Sequence, residues 1–433
     1  MKRFTSLVLV AMLLLSLCAI PAQAEEPIVL QFWGAIPPET GPQALVDNWN
    51  AANPDVQVEY TRFVNNDAGN TKLETAIMGG EVDVFINYPI SALDKRVEAG
   101  LMIPLDDYLA ADNFVLEDEF GASNFYRNGK CYFIPSNGGN EAYLMYNKDM
   151  LDAAGVVIPE RWTWEEFEEV ARKLTVGEGP NKVFGFSQGY SYKGDEWTME
   201  SNYSLGNDPM YKSATESNFD SPTYLRDLSR RYRMEMVDKS MINRLEMKMT
   251  NLDIASEFAN GRVAILGANY HLRDMKNTEK YPHDFKIGFA RWPMSEEQTT
   301  VTHNGIREWI AITPNCKHAD KAWDFIKYYA TEGFYPMCSS GRLPAWRGAD
   351  PDKAVSYYLG DNAEQLFDTE SFAKNVMGNP YAMPAVNIYS AAQNVFVTLM
   401  GEAYESVVLG EATPEEAIAI LKVEADKALK NAQ

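Results

Sequence analysis

The stretch from Ile28 to Asn87 alternates strand, helix, strand, helix and strand, an order that builds a parallel sheet with helices packed against it. "IVLQFWGAIPPETG" opens as an apolar strand, Ile28 to Trp33, and stops at Gly34 before a proline-rich turn. Leu45 and Trp49, four apart, mark one face of a helix that Pro54 closes. Val56, Val58 and Tyr60 then alternate with period two, the next helical stretch ends at Gly79-Gly80, and "VDVFIN" supplies the third strand.

Later helix starts are written in the same local chemistry. Thr163-Trp164-Glu165-Glu166 reads as a capping box, with Trp164, Phe167, Val170 and Leu174 along one face behind it. Thr413-Pro414-Glu415-Glu416 repeats the device, with proline where a missing N–H costs nothing. Ala322, Phe325, Ile326 and Tyr329 stripe another helix. At 433 residues the chain is long for one domain, and no repeat or long linker divides it. Two lobes follow, joined by short crossings, with the chain passing between them more than once.

The start of the chain carries an address. Lys2-Arg3, an apolar run from Leu7 to Ile20 and Pro21-Ala22-Gln23-Ala24 form an export signal cut after Ala24. The run is shorter than the roughly 20 residues a membrane-spanning helix needs. The rival reading takes Leu15-Ser16-Leu17-Cys18 as a lipoprotein box with Cys18 acylated; Leu17 is large where such a box wants a small residue, so this ranks second. Removal of the leader takes the formal net charge from −22 to −24. That field repels nucleic acid and anionic membranes and leaves neutral ligands unaffected. Three cysteines then remain, Cys131, Cys316 and Cys338, an odd number that makes no disulfide scaffold. The favoured reading is three small buried side chains; a Cys316–Cys338 bridge is the alternative.

Catalytic and cofactor patterns are thin. Gly185-Phe186-Ser187-Gln188-Gly189 matches G-x-S-x-G, but "YSYKGDEW" follows where a nucleophile elbow requires a helix, so a chance match in a turn is preferred to Ser187 as a nucleophile. His271, His283, His303 and His318 show no metal-binding spacing, and neither G-x-x-x-x-G-K-[ST] nor G-x-G-x-x-G occurs, so no cofactor is expected. Acidic pairs such as Asp106-Asp107 and Glu165-Glu166 could serve a glycosidase, yet among 61 acids adjacency selects nothing, and helix caps and solvated faces are the simpler reading. Tyr328-Tyr329 could ligate ferric iron; the helix stripe favours burial of Tyr329 instead. What remains is a set of rings at strand and loop ends: Trp33, Tyr88, Trp197, Tyr270, Trp309, Trp346 and Tyr389. Flat rings offer apolar faces to the C–H faces of sugars while neighbouring amides and carboxylates take the hydroxyls.

"YNKDMLDAAGVVIPERWTWEEFEEVARKLT" resembles the signature of extracellular solute-binding proteins of the carbohydrate class, the family that includes maltose-binding protein. "LQFWG", "ALVDNWNAANPDVQVEY", "KLETAIMGGEVDVF", "EAGLMIPLDDYL", "NGKCYFIP", "FANGRVAIL", "ADKAWDFIKYYAT" and "GRLP" agree with it in the same order, nearly end to end. The resemblance implies an α/β, two-lobed periplasmic-binding-protein-like fold, each lobe a mixed sheet with flanking helices. It places lobe one at 25–137 with 305–355 and lobe two at 138–304 with 356–433. It implies a monomer that closes on a carbohydrate and hands it to the membrane permease of an ABC importer, without catalysis. Carried over by motif, the ligand-binding residues are Trp33 and Gly34 after the first strand, Asn87, then Asn137 and Glu141 flanking the first crossing. Asn269 and Tyr270 follow "GRVAIL", where Ala268-Asn269-Tyr270 replaces the family's usual glycine-tryptophan pair; Asn304 lies in the second crossing and Trp197 in a variable loop. The same architecture binding a polyamine, or a secreted hydrolase, are the alternatives.

Overall fold

The computed structural model describes residues 26–88, 90–121, 123–138, 143–189, 196–267, 271–303, 305–384, 388–389 and 391–432. The chain opens β1 (Ile28–Gly34), α1 (Pro42–Ala52), β2 (Val56–Arg62), α2 (Asp67–Gly79) and β3 (Val84–Asn87), the order expected from the sequence. After α3 (Ile90–Glu98) comes β4 (Ile134–Asn137). The chain then leaves this sheet and builds a second one with β5 (Tyr143–Asn147), α4 (Trp164–Leu174), β6 (Phe184–Gln188), α5 (Pro222–Tyr232), β7 (Val263–Gly267), α6 (His271–Lys276) and β8 (Ile287–Arg291). It returns with β9 (Glu308–Ile312) and α7 (Ala319–Ala330), moves over again through α8 (Pro351–Leu359) and finishes on α9 (Gln393–Val408) and α10 (Pro414–Asn431).

The first sheet has the order β2-β1-β3-β9-β4 and the second β8-β5-β7-β6. Both are mixed: β9 runs antiparallel to β3 and β4, and β5 antiparallel to β7 and β8. Two sheets, each with its own helices, make the two-lobed α/β architecture.

Burial explains why the strands read as they do. Leu30 and Phe32 of β1 point into a core where Phe32 meets Phe325 and Tyr329 edge-on at 5.3 and 5.4 Å. Trp33, one residue on, turns to the opposite face with Phe85 and Trp309. Leu45, Val46 and Trp49 are the buried stripe of α1. Both capping boxes form: Thr163 Oγ1 accepts the Glu166 amide at 3.2 Å while Glu166 Oε2 accepts the Thr163 amide at 2.7 Å, and Thr413 with Glu416 does the same at 3.2 and 2.9 Å. Each cap stabilises its helix by about 1 kcal/mol. All three described cysteines are free, so no Cys316–Cys338 bridge forms; Cys131 and Cys338 are buried as expected, whereas Cys316 is half-buried. No helix among the described residues is long and apolar enough to cross a membrane.

The third passage between sheets is tied across a seam at α8. Lys276, at the end of α6, donates to Ser339 O at 3.0 Å and to Tyr358 O, in the last turn of α8, at 2.7 Å. Tyr358 Oη lies 2.8 Å from Tyr143 Oη of β5. Burial pulls the Lys276 ammonium down from its ordinary value to about 8. Between that value and the ordinary 10.5 the unfolded chain binds the extra proton, so stability rises with pH across this window and is lowest below it. Wild type should therefore gain stability relative to Lys276→Met between pH 7 and pH 10, read as the difference in urea midpoints; equal midpoint changes would show the amine to be hydrated.

Candidate functional site

Strand direction gathers the site. β1 and β3 end at Gly34 and Asn87, β4 ends at Asn137, and antiparallel β9 starts beside them, with Trp309 opposite Asn87 and Glu308 opposite Asn137. On the second sheet Gln188, Gly267, Leu144 and Arg291 form the equivalent edge, Gly267 being opposite both Gln188 and Leu144. Asn137 and Tyr143 are six chain steps apart, which span at most about 20 Å. The two edges therefore come within about 20 Å of each other at this crossing, at strand ends of the kind where open α/β sheets bind ligands.

On the first edge the chain beyond β1 is held by two tyrosines. Tyr60 Oη accepts from Ile36 N at 3.1 Å and donates to Ile36 O at 2.8 Å, and Tyr88 Oη accepts from Ala35 N at 2.6 Å. Gly34 is required by this packing: a Cβ there would stand 2.7 Å from Tyr60 Oη. Asn87 is fully buried, and its Oδ1 accepts from Arg96 Nη1. Arg96 also reaches Asn70 Oδ1 at 2.7 Å and Glu74 Oε1 at 3.1 Å, so a buried guanidinium fixes the end of β3 against α2. Asn137 Oδ1 accepts from Leu343 N at 3.3 Å and its carbonyl from Arg307 N at 3.1 Å. Trp33 is 7% exposed, with Lys72 Nζ 5.7 Å from its ring centroid.

Four of the residues expected from the sequence, Trp33, Gly34, Asn87 and Asn137, thus share one edge. Trp197 does not present a platform. It is 1% exposed, its indole N–H donates to Met400 O at 3.0 Å, and Tyr224 meets it edge-on, so it is core beneath the C-terminal helices. Glu141, Asn269, Tyr270 and Asn304 lie outside the described residues. Other rings also serve packing or anchoring: Trp309 lies edge-on to Phe133, Trp346 Nε1 donates to Glu119 Oε2 at 2.6 Å, and Tyr389 leans on Tyr211. Arg96 and Tyr60 were not legible in the sequence, because each acts through a partner that no local spacing announces.

The catalytic alternatives lose their geometry. Ser187 is fully buried and its Oγ lies 4.0 Å from Met247 Sδ. Gly185 is a packing glycine, since a Cβ would fall 1.8 Å from Ala171 O. Ser187→Ala should change stability by less than about 1 kcal/mol and leave ligand affinity unaltered, because only a weak O–H···S contact is lost; a larger change in affinity by calorimetry would reopen a role for the hydroxyl. Glu166 is a cap, and Asp106 accepts from Cys131 N at 3.3 Å. Tyr329 is buried against Phe32 and Phe334. Among the described residues no group of three His, Cys, Asp or Glu side chains could hold a metal ion.

A family model described as bacterial extracellular solute-binding protein matches residues 36–334. The chain belongs to this family. Solved solute-binding proteins share its fold. An ABC substrate-binding protein of Listeria monocytogenes in complex with cycloalternan superposes with a TM-score of 0.73 at 22% identity, covering 94% of this chain and 100% of that one. The cyclic α-maltosyl-1,6-maltose binding protein of Arthrobacter globiformis gives 0.69 at 18% identity with the same coverage. The maltose/maltodextrin-binding domain of Bdellovibrio bacteriovorus, bound to maltotriose, gives 0.65 at 18% identity over 93% of this chain and 100% of that one. In sequence, an uncharacterised lipoprotein from the oleD 5′ region of Streptomyces antibioticus is 32% identical over 188 residues, 42% of this chain. The match spans 40% of the length of that relative.

Proposed function

We propose that this solute-binding protein captures a neutral sugar or oligosaccharide between its two lobes by hinge closure and delivers it to the permease of an ABC importer, acting as a monomer and without turnover. The observation that carries this reading is the convergence of Gly34, Asn87 and Asn137 at one sheet edge, with the second sheet beginning six residues after Asn137. A ligand that touches both edges binds the closed form better than the open one, and that difference in affinity drives closure. Lobe one is assigned to 25–137 with 305–355 and lobe two to 138–304 with 356–433. The ligand shell is assigned to Trp33, Gly34, Asn87, Asn137, Glu141, Asn269, Tyr270 and Asn304, with Tyr270 as the stacking ring. Support comes from the saccharides in the names of the structural relatives and from a net charge of −22, which disfavours nucleic acid as a partner. The mature protein is assigned outside the cytoplasm after cleavage behind Ala24. The lipoprotein relative favours a second reading, anchoring through an acylated Cys18.

Isothermal calorimetry with maltotriose, cycloalternan, simple sugars and spermidine tests the ligand class. Saturable binding of a saccharide is expected; binding of spermidine alone would transfer the fold to the polyamine reading. Tyr270→Ala should weaken saccharide binding at least tenfold, about 1.4 kcal/mol, and an unchanged dissociation constant would remove Tyr270 from the ligand shell.

A further inference from the structure

Three separate segments of lobe one meet near the passages between the sheets: the end of β4, the start of β9, and residues 340–345, which precede α8. They are laced to one another at one spot. Gly138 N donates to Leu343 O at 2.9 Å, Ala345 N to Ser136 O at 3.0 Å and Arg307 N to Asn137 O at 3.1 Å. Ser136 Oγ donates to Glu308 O at 3.2 Å. At the centre lies one buried ion pair. Arg342 Nε donates to Glu308 Oε1 at 2.7 Å, Nη2 stands 2.7 Å from the same oxygen, and Nη1 donates to Ser340 Oγ at 3.0 Å. Glu308 is 1% and Arg342 7% exposed, and the Arg342 guanidinium is engaged by Glu308 and Ser340. Glu308 Oε2 accepts no hydrogen bond among the described residues, so Arg342 supplies the charge that allows the carboxylate to be buried. The charge of that carboxylate helps to raise the phenols of Tyr88 and Tyr329, after burial itself.

We propose that the Glu308–Arg342 pair is the anchor that fixes the lobe-one ends of the three crossings relative to one another, making both side chains positioning residues for lobe closure. The inference rests on the closure assigned above. A hinge gives a defined closed geometry only if its strands emerge from a rigid base, and loosely held crossings would let the lobes meet at many angles. Here a buried, charge-assisted contact lies between residues 34 positions apart in sequence, at the point where those strands emerge.

The test is the interlobe distance distribution by electron-electron resonance. Spin labels are placed at Met78→Cys and Val157→Cys, both exposed and on different lobes, in a Cys316→Ser background. Measurements are made without sugar on wild type, Arg342→Met and the uncharged pair Glu308→Gln/Arg342→Met, with thermal unfolding alongside. Arg342→Met should broaden the distribution at least twofold, and the double variant should broaden it less, because no unpaired carboxylate is left buried. A folded Arg342→Met with the wild-type width overturns the proposal. Should Arg342→Met fail to fold, the double variant decides: a broadened distribution supports the anchor, a wild-type one refutes it. A wild-type distance that ignores maltotriose and every other saccharide would count against the proposed ligand, not against the anchor, which is read from the sugar-free widths.

Discussion

Replacing Arg230 with methionine is expected to cost about 3–5 kcal/mol of stability, the scale for removing one partner from a buried charge cluster. Arg230 is 2% exposed and serves three acids: Glu200 Oε2 at 2.7 Å, Asp227 Oδ1 at 3.0 Å and Glu168 Oε1 at 3.3 Å. Its guanidinium also lies 4.5 Å from the ring centroid of Trp164, so the side chain ties α5 to α4 by packing as well as by charge. Asp227 is the most exposed to the loss. It is fully buried and accepts the amides of Glu200 and Ser201 at 2.8 Å each, and burial still pushes its carboxyl up to about 6 with Arg230 in place. Without the guanidinium its folded value rises further above the unfolded one. A raised carboxyl loses stability as pH climbs through it, so the penalty of Arg230→Met should be larger at pH 8 than at pH 5. Urea midpoints at the two pH values measure this; a loss under about 1 kcal/mol at pH 8 would mean that water, not Arg230, satisfies the cluster.

Gly185→Ala should be similarly damaging, by at least about 3 kcal/mol, the upper end of ordinary overpacking. The added Cβ would lie 1.8 Å from Ala171 O and 2.5 Å from its carbonyl carbon. Both atoms are helix backbone, so no side chain can rotate away, and β6 would have to lift off α4 along the face where Phe167 meets Phe186 at 4.8 Å. The loss should appear as a lower urea midpoint or as insoluble protein. A midpoint shift under about 1 kcal/mol would show that strand and helix can separate freely. In the G-x-S-x-G pattern the glycine, rather than the serine, is then the residue the fold depends on.

The local part of this structure was legible in the sequence. Gly34, Pro54 and Gly79-Gly80 punctuate the first strands and helices, and the two threonine capping boxes satisfy their helix starts within four residues. Such signals need only neighbours in the chain. The antiparallel return of β9 between β3 and β4 was not legible, because it depends on residues 308–312 coming back to a sheet begun far earlier. Ring chemistry alone also misled: Trp197 has the same apolar area whether it faces a sugar or Tyr224, and the core beneath α9 claimed it. The strand ends at Asn87 and Asn137 were legible, because each closes an apolar run. Arg96, which binds Asn87, and Arg342, which binds Glu308, were missed because no local spacing announces their partners.

The proposed function requires two lobes to close around a neutral guest. Small-angle X-ray scattering of the mature protein, recorded with and without the saccharide that calorimetry shows to bind, tests this most directly. A smaller radius of gyration at saturating saccharide is the predicted result. Superimposable profiles at saturation would contradict it.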